Sequence, residues 1–120
     1  MKCLMAVLLL AACAAAEGAD QLVTIDTRPG VSVSFYYMKR DGAVATVVLL
    51  PGGGGGIGYK DGGLRSENFL VRSRDHFARN GFNVAVVGKP SDQSELSYEF
   101  RVDRRHVGDL RHVVEHLKRD

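Results

Sequence analysis

The chain has 120 residues, 45% hydrophobic and 25% charged, which is room for one ordinary globular domain and little else. A formal net charge of +2 is too mild for a phosphate-backbone surface, so no nucleic-acid partner is expected. Fourteen glycines are an excess, but six fall between Gly52 and Gly58, so the bias is local and not low-complexity.

Met1 and Lys2 precede an uncharged run, residues 3–16, that ends in small residues. A basic start, an apolar middle and a small-residue end describe an export signal, with cleavage expected after the alanines at 14–16. Fourteen residues fall short of the roughly 20 that a membrane-spanning helix needs. Leu10-Ala11-Ala12-Cys13 also resembles a bacterial lipobox, which would place a lipid on Cys13 and make the membrane a partner. The expected localisation is therefore exported, periplasmic or secreted, with a lipoprotein anchor as the alternative. Both cysteines, Cys3 and Cys13, lie in this segment, which leaves residues 17–120 without disulfide, thiolate nucleophile or cysteine metal ligand.

Residues 22–25 read as a first strand, and Arg28-Pro29-Gly30 supplies a turn because proline presets φ and glycine accepts a positive one. Residues 31–35 alternate with period two and 36–38 extend them, as in a half-buried antiparallel strand. Tyr36 and Tyr37 then face opposite sides, one expected in the core and the other on the surface. Lys39-Arg40-Asp41-Gly42 is a second turn, and residues 45–50 show the unbroken apolar character of a strand buried on both faces.

That strand runs into Pro51-Gly52-Gly53-Gly54-Gly55-Gly56-Ile57-Gly58, a backbone free of Cβ atoms whose N–H groups can approach an anion closely. Residues 68–80 fit a helix with Ser66 as cap, Phe69, Leu70, Ser73 and Phe77 on one side, and Gly81 as a left-handed stop. Its N-terminus adds a positive dipole end near the loop. Residues 82–87 read as another buried strand, closing a βαβ unit. Residues 88–102 read as an irregular excursion. Asp103 caps a final helix with the stripe Val107, Leu110, Val114, Leu117 toward the sheet, so that His112 and His116 face solvent. His76 and His106 read as helix-surface residues, and the cations from Arg101 to Arg119, interleaved with Asp103, Asp109, Glu115 and Asp120, as a salt-bridged face. The fold class expected is α/β: an antiparallel hairpin leading into a parallel βαβ unit and a final helix.

Three motif matches are weak on their chemistry. Gly53, Gly55 and Gly58 satisfy G-x-G-x-x-G, but five consecutive glycines satisfy many spacings and no acidic residue ends the next strand, so no dinucleotide cofactor is expected. A P-loop lacks its Gly-Lys-Ser/Thr ending. His112-Val113-Val114-Glu115-His116 matches H-x-x-E-H, yet two histidines without a third protein ligand do not make a catalytic zinc site, and no metal is expected.

At residues 47–54 the sequence resembles the α/β-hydrolase superfamily, in which a hairpin leads into a parallel sheet and the third strand ends in an H-G-G-G-type loop. Pro51 stands where that pattern often has histidine. The resemblance covers residues 21–120 and implies that Gly52, Gly53 and Gly54 include an oxyanion-hole donor. It also implies a G-x-S-x-G nucleophile elbow after a helix like the last one, and no serine here lies in such a turn. The expectation is the amino-terminal part of an exported hydrolase, with an ester, thioester, lactone or amide as the small-molecule acyl substrate of the longer protein. This piece is expected to be inactive, with no catalytic residue of the triad among its own. The alternative is a small exported module that holds an anion on the glycine loop without chemistry. The resemblance implies strand order 1-2-4-3, with residues 82–87 inserted beside and parallel to 45–50, whereas Asp41-Gly42 taken locally predicts a hairpin between 38 and 44. It further implies an open apolar edge on 45–50, hence poor solubility. The oxyanion reading asks the loop to present amides and not carbonyls at the open end of the sheet.

Overall fold

A computed structural model describes residues 18–120; the export-signal and Cys13 expectations lie outside the described residues. Strand β1 (Gln21–Arg28) turns at Gly30, with φ 71°, into β2 (Val31–Met38). Strand β3 (Ala45–Leu49) leads to the glycine loop, followed by a two-residue hairpin of β4 (Tyr59–Lys60) and β5 (Gly63–Leu64). Helix α1 (Phe69–Arg79), strand β6 (Phe82–Pro90), the single turn α2 (Tyr98–Arg101) and helix α3 (Arg104–Leu117) complete the chain.

The sheet order is β1-β2-β6-β3, a mixed α/β arrangement in which β6 is antiparallel to β2 and parallel to β3. The local hairpin between 38 and 44 does not form. The turn at 40–43 instead sends the chain past the place that β6 later fills, and Val44 N–H donates to Gly81 O at the start of β6. β6 can occupy the centre because both its faces are apolar: Val84 and Val86 pack with Val71 and Ala78 of α1, and Ala85 and Val87 pack with Val113 and Leu117 of α3. Helices thus cover both faces, which is why Tyr36 and Tyr37, pointing opposite ways, are both buried. The expectation of one surface tyrosine fails because the hairpin is not a half-exposed one.

Five further expectations are corrected. Residues 88–102 are not irregular throughout: β6 runs on to Pro90, held by Ser91 N–H to Ser32 O, and Ser97 caps α2 through Phe100 N–H. The cap of α1 is Asn68, whose side chain accepts from Leu70 N–H, while Ser66 accepts from Asn68 N–H one step earlier. Phe69 faces out, and Leu70, Val71, Phe77 and Ala78 face in. Strand β3 is only half buried, because no strand among the described residues pairs with its outer edge. Finally, α3 is rotated from the expected stripe. Its buried line is His106, Asp109, Val113 and Leu117, while Val107 and Val114 are 50% and 38% exposed, Val114 beside Thr46 and Val48 of β3. The asymmetry has a polar cause. Asp109, fully buried, accepts from Arg28 Nε at 2.8 Å and Nη2 at 2.9 Å, and that fork turns the helix.

Candidate active site at the ends of the parallel strands

The glycine loop leaves the C-terminal end of β3, the end of a parallel pair where α/β proteins place ligands. Two of its glycines are dictated by packing. Gly55 has φ 77° and a Cβ there would lie 2.5 Å from Leu96 Cδ1; Gly58 has φ 63° and a Cβ would lie 2.8 Å from Ser66 N. Gly52, Gly53 and Gly54 are exposed. Gly52 sits beside the cap of α1, a notional Cβ lying 3.9 Å from Asn68 Nδ2.

The carbonyls of these residues are all committed. Gly52 O accepts from Gly55 N–H at 3.3 Å and Gly54 O from Leu96 N–H at 2.9 Å. Arg101 Nη2 donates to Gly53 O, and Nη1 and Nη2 donate to Pro51 O at 3.4 and 3.3 Å. The N–H groups of Gly52, Gly53 and Gly54 have no partner among the described residues. In a trans peptide the N–H opposes the preceding carbonyl. The amides of Gly52 and Gly54 therefore face away from Arg101, so the loop has two unlike sides there: the carbonyls of Pro51 and Gly53 toward Arg101, and the amides of Gly52 and Gly54 away from it.

On the Arg101 side lies a partly open cavity of about 130 Å³. Its apolar wall is Leu50, Val87, Leu96 and Leu110, and its polar groups are Arg101 and His106. The surface position expected for His106 is wrong. The residue is 5% exposed, packs on the Phe100 ring at 5.5 Å between centroids, and its Nδ1 is buried without a hydrogen-bond partner. Burial pushes the imidazole below its ordinary value; Asp109 opposes that shift, and Arg101 and Arg28 add to it. The ring is therefore neutral at pH 7, one nitrogen a donor and the other an acceptor. No sequence signal marked His106 except its spacing of three from Asp109, which places both on one helix face.

The other histidines do not join it. His112 is exposed and bonds Gly108 O through Nδ1 at 2.8 Å, and His116 is not on an open polar face but packs edge-on against Phe35. Among the described residues no three of His, Cys, Asp and Glu come together as metal ligands. Asp103 caps α3 as expected, accepting from Arg105 N–H at 2.8 Å. Arg101, by contrast, leaves the expected salt-bridged face for the loop carbonyls. No helix of the described residues is long and apolar enough to cross a membrane. Comparison with family models, with curated proteins and with solved structures gives no match to this chain.

Proposed function

We propose that this chain builds part of an α/β-hydrolase-like domain acting on an acyl compound, with residues 52 to 54 supplying oxyanion donors. The observation that carries the reading is the loop itself: at the C-terminal end of β3, its carbonyls are tied down while three successive amides stay unpartnered. Aligned N–H groups held in advance of the reaction stabilise the charge that develops on a carbonyl oxygen under attack. The insertion of β6 between β2 and β3 is the order the resemblance implies. The open β3 edge, flanked by exposed Val44 and Val114, is an apolar face suited to one more parallel strand. That strand is where the resemblance puts the serine. Within the described residues no serine sits in a glycine-flanked strand-to-helix turn, so the loop holds an oxyanion and does not create one.

The test is to read the coding sequence beyond codon 120, express the longer product and treat it with a fluorophosphonate probe. Labelling of a serine in G-x-S-x-G within about 15 residues of Asp120 is expected. An in-frame stop directly after Asp120, with no labelled serine, refutes it. The exposure of the same amides favours a second reading, an anion-binding module without chemistry. Phosphate-induced shifts at the Gly52, Gly53 and Gly54 amide resonances, in a protein that no acyl probe labels, would select it.

A further inference from the structure

The cavity behind the loop is distinct from the amide face, and nothing above assigns it a ligand. Its single buried polar side chain is His106: Nδ1 is sealed inside the wall without a partner, out of reach of the cavity, and Nε2, which makes no hydrogen bond among the described residues, is the nitrogen left to meet a ligand. Its single cation is Arg101. Three of the five guanidinium N–H groups go to the carbonyls of Pro51 and Gly53, which fixes the group's plane, and Nε has no partner among the described residues. Every other wall residue named above is apolar.

We propose that this cavity binds a short-chain carboxylate, its oxygens held by Arg101 and His106 and its alkyl end against Leu50, Val87, Leu96 and Leu110. A carboxylate is the head group that uses both donors: a charge-assisted bond from the guanidinium and an N–H from the neutral imidazole. The volume limits the tail. A cavity of about 130 Å³ is close to the roughly 150 Å³ that accommodates a six-carbon ring, so a molecule with about six heavy atoms, the size of butyrate, fills it. Phosphate matches the charge but has nothing to set against the four leucine and valine side chains. The site does not rest on the acyl-hydrolase reading, since binding here needs no nucleophile.

Ligand-observed saturation-transfer NMR on the protein, with butyrate, acetate and phosphate as probes, tests it. Butyrate is expected to bind more tightly than acetate and to resist displacement by phosphate. His106→Phe keeps the ring volume and removes both nitrogens; it should weaken butyrate about 10- to 100-fold, the range of one hydrogen bond to a charged group. The same variant should melt at a higher temperature than the parent, because a buried unpaired nitrogen is gone. Leu110→Phe is the independent check: it fills the cavity from α3 and should abolish the butyrate signal without touching either polar group. Absence of transfer to butyrate, displacement of butyrate by equimolar phosphate, or unchanged butyrate binding in His106→Phe or Leu110→Phe each overturns the proposal in favour of a hollow filled by water alone. Serine labelling in the longer product and butyrate binding here succeed or fail separately.

Discussion

Replacing Arg28 by Met isolates the interaction that orients α3. Arg28 stands at the end of β1 and forks twice: Nε and Nη2 reach Asp109 at 2.8 and 2.9 Å, and Nη1 and Nη2 reach Asp92 at 2.9 and 3.2 Å. The two carboxylates are not equivalent. Asp109 has no exposed side-chain surface, whereas Asp92 keeps 31% of its own. Loss of the Asp92 arm costs no more than about 1 kcal/mol, the range of exposed pairs. Loss of the Asp109 arm leaves a buried charge uncompensated, which costs about 3–5 kcal/mol. Set against a domain stability of about 5–15 kcal/mol, that is a large fraction, and about 3 kcal/mol lowers the melting temperature by about 12–24 °C in a domain near 100 residues. Urea denaturation followed by circular dichroism measures the loss directly. The paired variant Arg28→Met with Asp109→Leu removes charge and counter-charge together and should return to within about 1 kcal/mol of the parent or exceed it. A single-variant loss below about 1 kcal/mol, or a pair as unstable as the single, would show that the fork neither holds α3 nor encloses the carboxylate, and the account of the helix rotation would fall with it.

Gly58→Ala should destabilise by about 1–3 kcal/mol, because a positive φ and a backbone nitrogen both oppose the new Cβ, while Gly56→Ala, with open space around it, should stay within about 0.5 kcal/mol of the parent; urea midpoints compare the two. Thr46→Lys on the free edge of β3 should reduce self-association in sedimentation velocity, and a parent protein already monodisperse would contradict the exposed-edge argument. The side-chain bond from Arg105, aided by its N–H, holds the Asp103 carboxyl below its ordinary 3.8, at about 2. A folded value below the unfolded one means stabilisation present above about pH 4 and lost as the pH falls toward 2. Asp103→Asn, still able to cap, should flatten that acid limb of the melting temperature; an unaltered limb would assign it to other carboxylates.

The elements were legible because each rests on short-range chemistry. The Arg28-Pro29-Gly30 turn, the Asp103 cap and the Gly81 stop, with φ 85°, all stand where residue type alone puts them. What local signals misjudged was partnership. Asp41-Gly42 is a sound turn, but whether it closes a hairpin depends on a strand 40 residues later being apolar on both faces. The same nonlocality hid the second tyrosine in the core, since its cover, α3, comes last in the chain. Periodicity also misplaced α3 by one position, because a hydrophobic stripe counts Asp109 as surface, and only a partner 81 residues away makes it interior.

The candidate site was half legible for the same reason. A run of glycines announces a backbone that can approach something closely, and Gly55 and Gly58 do, against Leu96 and Ser66. Which peptide groups remain available is decided by residues outside the run. The Arg101 side chain takes the oxygens of Pro51 and Gly53, and trans geometry then turns the opposed amides of Gly52 and Gly54 away from that side, while Leu96 N–H holds Gly54 O. The excursion between β6 and α3 thus does two things with one set of contacts: it fixes the loop so that the amides of Gly52 and Gly54 face away from Arg101, and it roofs the cavity that holds His106. A substitution that frees Arg101 from the carbonyls should therefore disturb both faces together, whereas His106→Phe should leave the glycine amide resonances where they are. That difference separates a shared scaffold from a single merged site.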